Sequence, residues 1–399
     1  MKKTVKDIDI KGKKVIMRVD FNVPLDKETN SKITDTTRVD ASMPTIEYIL
    51  SQGASLILMS HLGRPKGEAN PKYSLKPVYD YLKTELPNNK VIFANDCIGE
   101  EVKKTAGSLN AGDVLLLENL RYHAEEEKND ANFSKQLADL ADVYVNDAFG
   151  TAHRAHASTA GIVAAKPSMP AVAGFLMEKE IKYLGDAVAE PKRPFVAIIG
   201  GAKVSSKISV LKNLLNKVDT LIVVGGMAYT FFKAKGYEIG TSLCEDDYIQ
   251  TAKEIMDKAK ELNKTLYLPI DNVVADKFDN DANRKIVDCN AIPSGWMGMD
   301  VGDKTLKEIE NILKSAKTIV WNGPLGVFEM SNFAKGTFET AKFIANSGAV
   351  SIIGGGDSVS AVNKSGVADK MTHISTGGGA SLEFLEGIEL PGIKVLQDK

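Results

Sequence analysis

The sequence contains the stretch Phe195-Val-Ala-Ile-Ile-Gly-Gly-Ala-Lys-Val204, in which five apolar residues lead directly into a glycine pair and a lysine. A continuous apolar run of this length, closed by glycine, is typical of a strand buried on both faces of a parallel sheet. Similar runs recur along the chain, and segments of helical period separate them. We therefore expect βα units, in which helices cover both faces of a parallel sheet.

Runs rich in Val, Ile and Leu predict strands in both halves of the chain. They are Lys14–Val19, Ala54–Met59, Asp113–Leu117, Val143–Val145, Phe195–Ile199, Thr220–Val224, Thr265–Pro269, Thr318–Trp321 and Val350–Ile353. Between the halves, Ile181, Leu184 and Val188 recur at helical spacing within Met177–Glu190, which predicts a joining helix. The predicted fold class is α/β, with two Rossmann-like, doubly wound parallel-sheet lobes joined by a hinge helix. A chain of 399 residues suits two lobes, since a domain takes roughly 150 residues.

Composition places the chain among ordinary globular proteins, with 43% hydrophobic and 26% charged residues. Its 50 Lys and Arg against 52 Asp and Glu give a net charge of −2, so we expect no nucleic-acid partner. We find neither a signal peptide nor an apolar run near the ~18 residues of a membrane span, and expect a cytoplasmic protein with no membrane partner. Cys97, Cys244 and Cys289 stand far apart, which argues against a disulfide framework or a zinc site.

Polar residues follow the predicted strands of the first half. Ligands of an open α/β sheet bind outside the carboxyl ends of its strands, and the segments there carry Asp20, Asn22, Arg38, His61, Arg64, Arg121 and Arg154. Guanidinium groups bind phosphate and carboxylate through paired hydrogen bonds, so the cluster predicts a small substrate that carries both groups. Any one arginine could instead be a solvated surface charge, and the histidine motifs leave a metal site as a weaker alternative.

Glycine follows or neighbours the predicted strands of the second half. The glycines are Gly200-Gly201, Gly225-Gly226, Gly323, Gly354-Gly355-Gly356 and Gly377-Gly378-Gly379. Glycine lets backbone amides approach a phosphate, and a following helix N-terminus favours negative charge. With Lys203, Lys207 and Asp357 nearby, we interpret this half as a nucleotide platform. Asp357 is a candidate Mg²⁺ ligand or a plain helix N-cap, and each glycine pair alone could reflect close packing.

Two standard phosphate-binding fingerprints are absent from the sequence. We find no G-x-x-x-x-G-K-[ST] motif, and no G-x-G-x-x-G motif opens a helix after the first strand of a lobe. The sequence therefore argues against a Walker-type NTPase and against a dinucleotide-dependent dehydrogenase.

Five motifs, in this order and spread over nearly the whole chain, resemble the phosphoglycerate kinase family. They are Arg18-Val-Asp-Phe-Asn-Val-Pro24, Ser60-His-Leu-Gly-Arg-Pro65, Gly200-Gly-Ala-Lys-Val204, Trp321-Asn-Gly-Pro324 and Gly354-Gly-Gly-Asp-Ser358. The resemblance implies the reversible glycolytic reaction of 1,3-bisphosphoglycerate with ADP, which gives 3-phosphoglycerate and ATP and uses Mg²⁺.

The resemblance also implies a role for individual positions. It places 3-phosphoglycerate on Asp20, Asn22, Arg38, His61, Arg64, Arg121 and Arg154. It places the nucleotide on Gly201, Lys203, Lys207, Gly226, Asn322, Glu329, Gly355, Gly356, Asp357 and Ser358, with Glu329 at the ribose and Asp357 at the metal. Arg38 and Lys203 are the expected catalytic residues, and the expected cradle for the transferring group is formed by Gly355, Gly356, Gly378 and Gly379.

The resemblance further implies how the domains divide the work. Residues 1–172 are expected to bind 3-phosphoglycerate, 191–387 to bind the nucleotide, 173–190 to form the interdomain helix and hinge, and 388–399 to pack back on the first domain. We expect a monomer that bends at the hinge and closes its cleft for in-line transfer.

A carboxylate acceptor is already ionised at neutral pH, so the expected mechanism needs no general base. The residues alone leave two alternatives open. One is a kinase for another small phosphorylated acid, and the other is a nucleotide-binding regulator without turnover.

Overall fold

The computed structural model describes residues 1–399, apart from the side chains of Asp186 and Ala187. The chain divides into two compact units. Unit 1 contains Met1–Ile181 together with Glu389–Lys399, and unit 2 contains Lys182–Ile388.

Unit 1 is built on a six-stranded parallel sheet. Its strands are β1 (Lys14–Arg18), β2 (Ser55–Met59), β3 (Val91–Phe93), β4 (Val114–Leu116), β5 (Val143–Asn146) and β6 (Ala171–Ala173). They lie side by side in the order β3-β4-β2-β1-β5-β6. Because the chain lays β2 on one side of β1 and β5 on the other, the strand order reverses between β1 and β5, where a ligand crevice is expected.

Helices cover both faces of this sheet. They are α1 (Thr37–Ser51), α2 (Lys76–Glu85), α3 (Glu100–Gly107), α4 (Ala124–Glu127), α5 (Ala131–Ala138), α6 (Ile162–Ala165) and α7 (Phe175–Glu180). Val15 and Met17 of β1 share an apolar core with Ile46 of α1. Ile16, which points to the opposite face, is also fully buried. Both faces of β1 are therefore apolar, as the continuous Val/Ile pattern predicts.

The last residues of the chain also belong to unit 1. They form a short helix at Pro391–Lys394. The helix α8 (Ala187–Ala189) belongs to unit 2. The backbone N–H of Gln397 donates to Ala171 O at 2.9 Å, and Gly392 N–H donates to Ala152 O at 2.8 Å. Asn146, at the end of β5, donates its side-chain amide to Gly392 O at 3.0 Å.

Unit 2 contains a second six-stranded parallel sheet. Its strands are β7 (Phe195–Ile199), β8 (Thr220–Val223), β9 (Thr265–Tyr267), β13 (Thr318–Asn322), β14 (Val350–Gly354) and β15 (His373–Ile374), in the order β15-β14-β13-β7-β8-β9. The strand order reverses between β7 and β13, so these two strands flank the expected ligand crevice.

The helices of unit 2 pack their apolar faces on this sheet. They are α9 (Ile208–Leu215), α10 (Met227–Ala234), α11 (Ile249–Glu261), α12 (Asp303–Ser315), α13 (Lys335–Asn346), α14 (Gly356–Lys364) and α15 (Gly379–Leu385), and the C-terminal helix of unit 1 is then α16. Ile309 of α12 and Ile344 of α13 share a core with the fully buried Trp321 of β13.

A small antiparallel sheet forms a separate part of unit 2. It contains β10 (Asp271–Ala275), β11 (Arg284–Asp288) and β12 (Met297–Val301), in the order β11-β10-β12. Ala275, Met299 and Phe333 form its own small core. The sequence analysis missed this sheet, because β11 is mostly exposed and lacks an apolar run.

The predicted α/β fold class is confirmed, and all nine predicted strands are present within two residues of their predicted ends. The sequence analysis missed β3, β6 and β15, which have three, three and two residues. The helix predicted over Met177–Glu190 is present as a continuous helical segment over residues 175–189, in which α7 passes through a π-helical turn at Ile181–Asp186 into α8 (Ala187–Ala189). None of the described helices is long and apolar enough to cross a membrane.

Gly174 allows a buried carboxylate to cap α7. Asp147 follows β5, is fully buried, and accepts a hydrogen bond from Met177 N–H at 3.1 Å. Burial raises the pKa of Asp147 to about 7. A Cβ atom on Gly174 would overlap this carboxylate, so the position has room only for glycine.

We expect Gly174→Ala to destabilise the protein by about 1–3 kcal/mol, because the added methyl group overpacks the Asp147 cap. The matched control is Gly107→Ala at the end of α3, where a Cβ atom would meet open space. Urea unfolding followed by circular dichroism measures both midpoints. Equal midpoints for the two variants would contradict the role assigned to Gly174.

Candidate functional site

The arginine cluster of unit 1 lies beyond the carboxyl ends of adjacent strands. Asp20 and Asn22 follow β1, His61 follows β2, and Arg121 follows β4. Since β4, β2 and β1 are neighbours in a parallel sheet, their carboxyl ends meet at one edge. The sheet order therefore gathers these side chains from distant parts of the sequence.

Hydrogen bonds connect these segments to one another. Arg38, in the first turn of α1, donates to Asp20 Oδ2 at 2.6 Å. Asn22 Oδ1 accepts from Gly63 N–H at 2.8 Å, and Arg121 Nη1 donates to Gly63 O at 3.0 Å. The loop after β2 is thus fixed between the segments that follow β1 and β4.

His61 lies at the centre of the positive charge in unit 1. Burial and the charges of Arg18, Arg121, Arg38 and Arg154 hold the pKa of His61 well below its usual value. The imidazole is therefore neutral at physiological pH. Arg18 Nη2 lies 3.2 Å from His61 Nδ1, and because an arginine can only donate, Nδ1 accepts and Nε2 carries the proton. His61 can then donate a hydrogen bond to an anionic ligand.

Arg18, the last residue of β1, is fully buried and was given no role by the sequence analysis. Its Nε donates to Ser158 Oγ at 2.8 Å, and it also donates to the Val19 carbonyl. Ser158 Oγ in turn donates to the buried carboxylate of Glu126 at 2.5 Å. Burial raises the pKa of Glu126, and the charge of Arg18 opposes that rise. A basic residue at the end of an otherwise apolar strand was the sequence signal for this buried charge network.

The other predicted residues of unit 1 are more accessible to solvent. Arg154 is half-buried and donates to His153 Nε2 at 3.2 Å. Arg64 is exposed next to Gly63. His156, which the sequence analysis gave no role, is buried, and burial and the nearby arginines lower its pKa to about 4. The edge of the sheet therefore combines cationic arginines with neutral histidines, a combination that suits a ligand with several negative charges.

The glycines of unit 2 fall into two structural groups. A Cβ atom on Gly200 or Gly323 would overlap the opposing backbone, so these two glycines let the segments after β7 and β13 touch. A Cβ atom on Gly356, at the start of α14, or on Gly378, just before α15, would meet no atom within 4 Å. The backbone at these helix starts is open to a ligand, and helix N-terminal amides favour anions.

Lys207 and Asn322 meet at the strand-order reversal of unit 2. Lys207 Nζ donates to Asn322 Oδ1 at 2.6 Å. Burial lowers the pKa of Lys207, against the attraction of Glu386 and Asp357. The buried Asn322 Nδ2 has no hydrogen-bond partner among the described residues. A buried, unsatisfied donor is costly, and a phosphate oxygen of a nucleotide would satisfy it.

The remaining predicted residues of unit 2 differ in their exposure to solvent. Ser358 is buried in α14 and accepts from Gly323 N–H at 2.6 Å, so it fixes the loop after β13. Asp357, in the first turn of α14, is exposed, as are Lys203 and Glu329. Carboxylate oxygen is the ligand type that Mg²⁺ prefers, so Asp357 fits a metal bound with nucleotide phosphates.

The arginine cluster of unit 1 and the open glycine turns at the helix starts of unit 2 each suit an anionic ligand, as expected of an enzyme that handles phosphorylated substrates. The comparisons with known proteins agree. The phosphoglycerate kinase family model matches residues 5–388. A phosphoglycerate kinase of Clostridium botulinum strain Hall is 59% identical, over 100% of this chain and 99% of that protein.

Solved structures are also similar to the chain. The phosphoglycerate kinase structure from Coxiella burnetii has a TM-score of 0.91 and 41% identity, and the match covers 99% of this chain and 98% of that one. The structure from Pyrococcus horikoshii OT3 has a TM-score of 0.80 and 34% identity, with 98% of each chain covered. The chain belongs to the phosphoglycerate kinase family, and the resemblance stated from its motifs is confirmed.

We expect the His61 imidazole to show no titration at about pH 6.5, where an unperturbed histidine is half protonated. The folded-state pKa lies below the unfolded value of about 6.5. The neutral ring therefore contributes stability above that pH, and the contribution is lost as the pH falls through the folded pKa.

Nitrogen NMR of the imidazoles measures this directly, with His61→Gln assigning the resonance. His123, whose hydrogen bond to Asp96 raises its pKa, serves as the titrating control in the same spectra. A His61 signal that titrates near pH 6.5, or that reports a proton on Nδ1, would contradict the assigned hydrogen bond from Arg18.

Proposed function

We propose that this chain transfers a phosphoryl group reversibly from 1,3-bisphosphoglycerate to ADP, giving 3-phosphoglycerate and ATP. The observation that carries the proposal is the set of arginines around neutral His61, in a chain that belongs to the phosphoglycerate kinase family. A substrate with a phosphate at one end and a carboxylate or acyl phosphate at the other supplies the negative charge that this cluster lacks.

We assign 3-phosphoglycerate to unit 1. Arg64, Arg121 and Arg154 contact its phosphate, and His61 Nε2–H donates to an anionic oxygen of the substrate. Asp20 can only accept hydrogen bonds when ionised, so it contacts the hydroxyl group, and Asn22 fixes the loop through Gly63. Arg38, which Asp20 orients at 2.6 Å, faces the carboxyl end.

We assign the nucleotide to unit 2. Lys203, Lys207 and Asn322 contact its phosphates, together with the backbone N–H groups of Gly355, Gly356 and Ser358. Gly201 and Gly226 leave room for the base and sugar, and Glu329 contacts the ribose. Asp357 is the protein ligand for Mg²⁺, which when bound offsets the negative charge of the nucleotide phosphates.

The acceptor in the ATP-consuming direction is a carboxylate, which is ionised at neutral pH and needs no general base. Catalysis then depends on alignment and on neutralising the charge on the equatorial oxygens of the transferring group. Arg38 and Lys203 provide positive charge for these oxygens, and the backbone N–H groups near Gly355, Gly356, Gly378 and Gly379 complete the cradle.

Because the two substrates are assigned to different units, in-line transfer requires the units to close on each other. Closure also removes water, which would otherwise hydrolyse the acyl phosphate. We propose that the segment over residues 173–190 is the hinge. The family's glycolytic role supports a cytoplasmic location, and the family resemblance supports a monomer.

The test of the proposed function is a coupled assay with ATP, Mg²⁺ and 3-phosphoglycerate, in which glyceraldehyde-3-phosphate dehydrogenase reports the product as NADH consumption. Turnover with 3-phosphoglycerate, and little with acids that lack the distal phosphate, is the expected result. Nucleotide binding without turnover would overturn the proposal in favour of a regulator.

We expect Arg38→Ala to lower kcat by ~10³ to 10⁵, because an arginine that neutralises a transferring phosphoryl group lowers the barrier by about 4–7 kcal/mol. Arg284→Ala, at an exposed position of β11, is the control and should keep full activity. The coupled assay measures both, and circular dichroism checks their folding. A loss below about tenfold for Arg38→Ala would remove Arg38 from the catalytic role.

Small-angle X-ray scattering tests closure. The radius of gyration should fall when 3-phosphoglycerate and the Mg²⁺-nucleotide are present together, and it should change less with either ligand alone, because only the ternary complex brings both units to the reacting group. An unchanged radius of gyration in a sample that turns over under the same conditions would rule out closure by hinge bending.

A further inference from the structure

Three metal-ligating side chains meet in unit 1, next to the segment that carries Arg121. Asp96 and Cys97 follow β3, and His123 follows the turn after β4. One carboxylate oxygen, the Cys97 thiol sulfur and one imidazole nitrogen all lie within 4.8 Å of one another. We propose that Asp96, Cys97 and His123 form a binding site for Zn²⁺ that ties the segment after β3 to the segment after β4.

The three donors are the types that Zn²⁺ prefers, namely a thiolate, an imidazole and a carboxylate. Three protein ligands leave the fourth tetrahedral position for water. Zinc–ligand bonds of about 2.0–2.3 Å place the ligand atoms about 3.3–3.6 Å apart. Asp96 Oδ1 and His123 Nε2 are now hydrogen-bonded at 2.7 Å, so a bound ion needs these two atoms to separate by roughly half an ångström.

The burial of the three residues leaves a route for the ion. The side chains of His123 and Asp96 are 27% and 49% exposed, whereas Cys97 is fully buried. The ion can therefore enter between the imidazole and the carboxylate and meet the sulfur at the bottom of the site. Zn²⁺ binding replaces the S–H bond by a Zn–S bond, and the proton leaves to solvent. His123 Nε2, which now donates to Asp96 Oδ1, must also give up its proton to solvent before it can bind the ion, so the imidazole is then protonated at Nδ1 only.

The surrounding charge favours a cation. Glu126 acts electrostatically on Cys97, and Glu125 acts on His123. Burial, assisted by Asp96 and Glu126, keeps the pKa of the thiol well above its usual value. The negative charges that disfavour a free thiolate also attract a divalent ion. Cys97 is therefore expected to stay a thiol without metal and to ionise when the ion binds.

Co²⁺ is the direct probe, because it takes the same ligands and absorbs light. The full chain, stripped of metal with EDTA, is titrated with Co²⁺. A thiolate-to-cobalt charge-transfer band in the near ultraviolet and visible bands typical of tetrahedral cobalt are expected, at one ion per chain. Zn²⁺ should displace the cobalt and abolish both sets of bands.

Variants separate this site from other metal-binding groups. Cys97→Ser should abolish the charge-transfer band, and His123→Gln should weaken Zn²⁺ binding by at least about tenfold. Cys244→Ser changes a cysteine that likewise neighbours an aspartate, and it should leave the band intact. Asp357→Asn removes the proposed Mg²⁺ ligand and should also leave it intact.

The proposal is overturned if Co²⁺ binds without a thiolate band, if Cys97→Ser retains the band, or if Asp357→Asn abolishes it. His123→Gln covers the case in which Cys97→Ser fails to fold, because His123 is partly exposed and its replacement leaves the buried sulfur in place. Failure of the phosphoryl-transfer assay would not change any of these readouts.

Discussion

Both large sheets have only parallel strands, and this constraint decides where chemistry can occur in the molecule. Parallel strands bring all their carboxyl ends to one edge, and the reversal of strand order opens a crevice there. In unit 1 the reversal lies between β1 and β5, and in unit 2 between β7 and β13. Arginines follow the strands of one sheet and glycines follow those of the other, which is the basis for assigning 3-phosphoglycerate to unit 1 and the nucleotide to unit 2 in the proposed function.

The arginine cluster depends on a charge that never reaches solvent. Arg18 is fully buried, and an isolated buried charge is strongly destabilising. Ser158 connects Arg18 to the buried carboxylate of Glu126, and Arg18 uses another N–H group to fix the proton position on His61. Glu126 balances the buried charge of Arg18, while the more accessible arginines of unit 1 stand at the carboxyl edge of the sheet. The hydrogen bond from Arg18 also keeps the proton of neutral His61 on Nε2, where the imidazole can donate it to a ligand.

The strand ends and the residues after them were predictable, because continuous apolar runs mark buried parallel strands and polar residues interrupt them. Several contacts were not predictable. The link from Arg18 through Ser158 to Glu126 joins residues more than a hundred positions apart, and no local pattern encodes that pairing. Cysteine spacing argued against a zinc site, yet β3, which the sequence analysis missed, places Asp96 and Cys97 beside His123. The sequence also does not separate two kinds of glycine. Gly200 lets two backbone segments touch, whereas Gly356 faces open space, and only the three-dimensional packing shows this difference.

The central claim is that the two substrates are divided between the two units, and titration calorimetry tests it most directly. Arg154→Ala in unit 1 should weaken 3-phosphoglycerate binding and leave ADP binding unchanged, and Lys207→Ala in unit 2 should do the reverse. A charged hydrogen bond contributes about 1.5–3 kcal/mol, so each loss should be about ten- to hundredfold. If Lys207→Ala instead weakened 3-phosphoglycerate binding and spared ADP, the assignment of the substrates to the units would be contradicted.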